Sequence, residues 1–269
     1  MQPDLWADAV MQVFVEGIGI IAPGLDGWSA ARFVLAGRAP YENQPVRPPP
    51  VELLPPAERR RAGLTVRLAI AAGIEALRQA ARDPADMAMV FTASGGDGET
   101  IHEILSVLST EQREVSPTRF HNSVHNAPSG YWAVATGSRA PSTSLSAYDR
   151  SFVAGLLEAT AQATVQNRPV TLIAYDVPYP DPLHAARPIG SLFGMALVLA
   201  PRGSDRVLAA VTVAAADTES PATRMADAEL ERLRLGNPAA RGLPLLAAIA
   251  RGDEGTIHLD GIDIAVLPA

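Results

Sequence analysis

Apolar runs of strand length alternate along this chain with stretches of helical spacing. Residues 13–21 are apolar and β-branched, broken by Gly17 and Gly19, and stop at Ala22-Pro23-Gly24, which predicts a buried strand ending in a turn. Residues 26–35 suit a short helix, and the Pro-rich stretch 40–56 holds no periodic pattern and reads as a loop. Over 64–82 a narrow polar stripe (Arg67, Glu75, Arg78, Arg82) interrupts an otherwise apolar, alanine-rich pattern, predicting a helix buried on most of its circumference against a sheet. Residues 87–92 read as a strand, 93–98 as a glycine loop and 99–108 as a helix.

The same alternation continues. Residues 142–146, 170–177, 193–200 and 206–216 are strand-like, and 256–267 reads as one final alternating strand. Residues 151–166, 226–235 and 243–251 are helical by pattern. Strands alternating with helices imply an α/β chain with a parallel or mixed sheet covered on both faces.

Composition narrows the chemistry. The 269 residues suffice for one large α/β domain. A net charge of −7 argues against broad nucleic-acid binding, which needs clustered Lys and Arg. The absence of cysteine rules out disulfides, thiolate metal sites and a Cys nucleophile within the sequence. The N-terminal segment carries Asp4 and Asp8 without a basic stretch and is unlike a secretory signal, and no apolar run has transmembrane length. The expected location is the cytoplasm.

Several motif matches fail on physical grounds. Gly17-Ile18-Gly19-Ile20-Ile21-Ala22 fits a dinucleotide-binding pattern, but Pro23-Gly24 forces a turn where that motif needs a helix N-terminus. Close packing of a strand explains its glycines better. Ser94-Gly95-Gly96-Asp97-Gly98 lacks the Gly-Lys-Ser/Thr of a phosphate loop and reads as a strand-to-helix turn. His121 and His125 are four apart, but no Glu follows the metalloprotease pattern and Pro128 breaks any continuous helix through them. No metal or cofactor is expected.

Residues 141–151 run from a strand into a buried helix. A side chain at such a point sits beside free backbone N–H groups and the positive end of the helix dipole. Asp149 stands there, and a helix cap is the plainer reading of it than a catalytic group.

These pieces, in this order, resemble the N-terminal half of the β-ketoacyl synthases over roughly residues 11–200. The stretches that carry the resemblance are Val15 to Pro23, Phe91 to Gly96, Val115-Ser116-Pro117, Asn126-Ala127-Pro128-Ser129-Gly130 and Arg139 to Thr143. His-Asn-Ser-Val-His-Asn at 121–126, Gly-Tyr-Trp at 130–132 and Ser146-Ala147-Tyr148-Asp149 are similar to a short subgroup found with aryl-polyene synthesis, whose members resemble chain-length factors.

The resemblance implies a thiolase-like (half-thiolase) layered fold over 1–269, with 201–269 as an extension completing it. It places Asp149 where the family keeps its Cys, and a carboxylate is a poor acyl relay because the anhydride it forms is hydrolysed. After residue 200 only His258 occurs, in no His-Gly-Thr-Gly context, and His184 lies in a Pro-rich loop, so the family's proton-handling groups are not matched.

The implied role is an inactive partner of an active ketosynthase. Strands near Ser142 to Ser146, with Ser144 and Ser146 at the interface, would meet across a two-fold axis, the segment Val115 to Trp132 would lie near it, and Phe120, His121, His125 and Trp132 would contact the acyl tunnel. Self-association as a homodimer is compatible with this role. The rival reading is a residual acyl hydrolase or acyltransferase using His125 with Ser123 or Asp149. Docking of an acyl carrier protein would need Arg59, Arg60, Arg61, Arg67 and Arg119 to form a local basic patch.

Overall fold

The first apolar run forms β1 (Met11–Ala22), buried almost throughout, and a two-residue return strand β2 (Leu25–Asp26) pairs with its end. The computed structural model describes residues 10–111, 113–216 and 220–269. Asp4 and Asp8, on which the reading of the N-terminal segment rests, lie outside the described residues. Next come α1 (Trp28–Leu35), the irregular Pro-rich stretch, α2 (Pro56–Arg61) with proline in its first turn, and α3 (Leu64–Gln79). The chain continues through β3 (Ala88–Thr92), α4 (Gly98–Leu108), α5 (Pro117–Asn122), α6 (Ala127–Thr136) and β4 (Ser142–Leu145). A 3₁₀ turn (Tyr148–Arg150) leads into α7 (Ser151–Gln166), then β5 (Val170–Asp176), α8 (Leu183–Ala186), β6 (Phe193–Ala200) and β7 (Ala209–Ala215). The last elements are α9 (Ala228–Gly236), a 3₁₀ turn (Pro238–Gly242), α10 (Leu243–Arg251), β8 (Gly255–Leu259) and β9 (Ile262–Pro268).

One mixed sheet gathers the strands in the order β4-β3-β5-β6-β1-β7-β9-β8, with β2 beside β1. β4, β3 and β5 are parallel; the other pairs are antiparallel. Alternate residues of each strand feed two cores, as the two-residue period of a strand requires. Val90 and Leu172 join α1, α7 and α10 on one face, while Phe91 and Ile173 join α3 and α6 on the other.

Gly17 and Gly19 serve the packing the sequence suggests. A Cβ on either would collide with a backbone carbonyl of α3, so their absence lets α3 lie directly on β1. The single strand expected over 256–267 is instead the β8–β9 hairpin. Asp260 and Gly261 form its turn with φ of 44° and 92°, the conformation an Asp-Gly pair favours.

Candidate functional site

Because β3, β4 and β5 are parallel, their carboxyl ends emerge at one rim of the sheet, where ligand sites of open α/β sheets form. Hydrogen bonds lock the turn from β4 into α7. Thr92 Oγ1 donates to the Ser151 carbonyl (2.7 Å), Ser151 Oγ accepts the Ala147 amide (2.9 Å) and donates to the Tyr148 carbonyl (2.7 Å), and Ser146 Oγ donates to the Ser94 carbonyl (3.1 Å). Tyr148 is the residue at the bend. Its φ of 54° is a left-handed conformation costing a non-glycine residue about 1–3 kcal/mol.

Asp149 follows in the 3₁₀ turn, and the cap expected of it is not made. Arg150 is the residue before α7 and no side chain bonds that helix end. The turn's own backbone bonds, such as Arg150 N–H to the Ala147 carbonyl at 3.0 Å, already organise the entry. The Asp149 carboxylate points outward instead, half-exposed, and forms an ion pair with Arg187 (Oδ1 to Nη2, 2.7 Å). The Arg187 guanidinium carbon lies 3.6 Å from the centroid of the Tyr148 ring, a cation–π contact. Arg150 reaches the Asp260 carbonyl and so ties this elbow to the β8–β9 turn.

Beneath the elbow, Asp176 closes β5. Its Oδ1 accepts the Ser94 amide (2.9 Å) and hydroxyl (2.7 Å), and burial pushes its carboxyl up to about 7. Asn237 Nδ2 donates to the Ser191 carbonyl at 2.8 Å, binding the last 3₁₀ turn to the same rim. The glycine loop 94–98 is a strand-to-helix turn, as its sequence implies. Asp97 caps α4 by accepting the Thr100 amide (3.0 Å), and Gly98 leaves room for the Tyr179 ring.

The other sequence-derived candidates divide. Phe120 is 67% exposed on α5, His121 stacks edge-on with Tyr131, and Ser146 is exposed beside β4. Ser144 sits half-buried in β4. Trp132 is placed elsewhere: it is 2% exposed and packs edge-on against Phe91 between α3 and β3. His125 lines a narrow gap with Gly96, Asp97 and Asn122, its Nε2 buried without a hydrogen-bond partner. Ser123 Oγ donates to the Phe120 carbonyl (2.8 Å) and Asp149 is engaged by Arg187, so His125, Ser123 and Asp149 are not linked as a catalytic group requires. His258 belongs to β8, at the opposite edge of the sheet from β4, and bonds Asp263 across the hairpin (2.6 Å).

The expected basic patch is mostly answered within the chain. Arg59 holds the Glu52 and Leu54 carbonyls, Arg61 pairs with Glu58 and Arg119 with Glu103. A cleft of about 810 Å³ lies away from the elbow, between α3 and residues 49–53, lined by Ile21, Leu53, Ile70 and Ile74. Sequence reasoning did not find it, nor Arg187 and Asp176. Among the described residues no group of His, Asp and Glu could hold a metal ion, and no helix is long and apolar enough to cross a membrane.

Comparison with known proteins fits this geometry. A family model described as "Beta-ketoacyl synthase, N-terminal domain" matches residues 32–240. That span starts after β1 and runs beyond the stretch in which the sequence resemblance was visible. Among solved structures, a chain of the ketosynthase (ApeO) in complex with its chain length factor (ApeC) from Xenorhabdus doucetiae is 23% identical, with a TM-score of 0.71, covering 96% of this chain and 99% of that one. A chain of the ishigamide ketosynthase/chain length factor is 16% identical, with a TM-score of 0.65 and the same coverage of 96% and 99%. A chain of the AntDE:AntF complex, a type II acyl-carrier protein with its ketosynthase, is 13% identical, with a TM-score of 0.68 and coverage of 95% and 98%. These likenesses establish the fold, a thiolase-like mixed sheet flanked by helices. No functionally curated protein sequence matches significantly.

Proposed function

The chain belongs to the β-ketoacyl synthase N-terminal-domain family, and from that premise we propose that it is a catalytically silent, chain-length-factor-type subunit. Its partner is an active β-ketoacyl synthase in aryl-polyene or related fatty-acid-like synthesis, in the cytoplasm. In this reading residues 1–269 act as one domain, with 201–269 completing the sheet.

The elbow carries the proposal. A nucleophile's place in this fold is the bend between β4 and α7, and Tyr148, Asp149 and Arg187 fill it with an aromatic ring and an ion pair. None of the three carries a thiol, the Asp149 carboxylate could hold an acyl group only as a readily hydrolysed anhydride, and no base among the described residues is bonded to the Tyr148 hydroxyl to activate it.

The sheet edges support partnering. The β8 edge is covered, since the Thr223 amide donates to the His258 carbonyl (2.8 Å) and the His258 amide to Thr223 Oγ1 (2.9 Å). Among the described residues no backbone bond covers the outer side of β4, and an uncovered edge is a template for strand pairing. Exposed Leu105, Leu108, Phe120 and Val124 on α4, α5 and the following loop add apolar surface of the kind that marks protein contacts. Phe120, His121 and His125 are the residues proposed to reach the partner's acyl tunnel, with Ser144 and Ser146 at the pairing strand and Trp132 packed behind.

Co-expression with a candidate ketosynthase followed by size-exclusion chromatography tests the proposal. A stable complex of both chains is expected; consistent elution of this chain apart from every candidate would overturn it.

A further inference from the structure

Asp176 is 4% exposed, and only one of its carboxylate oxygens is served. Oδ1 takes both Ser94 donors, whereas Oδ2 is buried with no hydrogen-bond partner. The groups around it are Tyr175 on its own strand, Tyr179 on the next loop, uncharged Ser94 and Asn237 on neighbouring elements, the Ala239 amide, which favours the ionised carboxyl but is already bonded to Asn237 Oδ1 (2.9 Å), and Arg187 beyond α8. Arg187 supplies the positive charge that Asp176 feels.

Arg187 is held in contact with Asp149, whose claim on it is the weaker of the two. Asp149 is half-exposed, so water can take over its solvation at little cost when the guanidinium leaves. A carboxylate buried like Asp176 has no such recourse; once ionised it needs a donor or a cation on Oδ2. The protonated acid has no such need, because the proton itself sits on the unserved oxygen. The two carboxyls therefore compete for one arginine, and the protonation of the buried one decides the outcome.

We propose that Arg187 is a guanidinium switch, resting on Asp149 and the Tyr148 ring while Asp176 is protonated and swinging to Asp176 Oδ2 when Asp176 ionises, which releases the ring. The proton passes to water and no covalent bond changes. The switch stands on these contacts alone and does not depend on the partner proposed above.

Nuclear magnetic resonance of the full chain with labelled arginine, followed from about pH 5.5 to about pH 8.5, tests it. The Arg187 side-chain protons are ring-shielded by Tyr148 at the acid end and lose that shielding with a midpoint near 7. Asp176→Asn keeps the shielding across the whole range. Asp149→Asn removes the competing carboxylate and moves the transition to lower pH. His184→Gln, in α8 just before Arg187, leaves the transition in place. Shielding that never changes in the parent protein, a transition that survives Asp176→Asn, or one that vanishes with His184→Gln would overturn the switch.

Discussion

The α-carbon of Gly19 faces the carbonyl oxygen of Ala72, so closely that a Cβ at position 19 would overlap that oxygen. β1 and α3 therefore approach as near as backbone allows, and the contact sits at the centre of the sheet. Gly19→Ala is expected to destabilise by about 1–3 kcal/mol or more through overpacking. Gly130→Ala, on an α6 face with nothing within 4 Å, is expected to be neutral or to stabilise by roughly 0.5–1 kcal/mol. Urea unfolding of both variants checks the contrast.

Asp176 sets a pH dependence of stability. Its carboxyl is raised from an ordinary 3.8 to about 7, so the folded chain binds that proton more tightly than the unfolded chain. The contribution is fully present below about 4 and is lost as pH rises to about 7, amounting to at most on the order of 4 kcal/mol. Asp176→Asn is expected to flatten this fall and to raise Tm by roughly 5 °C or more at pH 8. Thermal unfolding across pH tests it; a lower Tm for the variant at pH 8 would contradict the assignment.

Trp132 and Phe120 are both large and aromatic, and their environments predict opposite consequences. Trp132→Ala opens a cavity between α3 and β3 and is expected to cost about 3–5 kcal/mol. Phe120→Ser, at an exposed site, is expected to change stability by less than about 0.5 kcal/mol while weakening association with the partner. Unfolding midpoints and the size-exclusion profile of the pair separate the two effects.

Periodic stretches were legible because local pattern and tertiary packing agree in them. The sequence ranges for α7, α10 and β6 coincide with the observed elements, each an unbroken apolar pattern bounded by turn residues. The β8–β9 hairpin was missed although Asp260-Gly261 signals it, because the apolar alternation continues on both sides of the turn. The elbow's location was legible, but its wiring was not. Arg187 meets Tyr148 and Asp149 from 39 and 38 residues away, a pairing that no local spacing encodes. Asp176 did leave a trace, a lone acid at the end of the apolar run 170–177, which marks a buried charge needing an explanation.

The central claim is that this chain contributes shape and not chemistry to thioester elongation. Its most direct test is product analysis of acyl carrier protein substrates incubated with the chain alone, with the purified pair, and with a pair carrying Asp149→Asn. The account predicts no product from the chain alone and equal elongation by the two pairs. Elongation or cleavage by the chain alone, or elongation lost from the pair carrying Asp149→Asn, would contradict it.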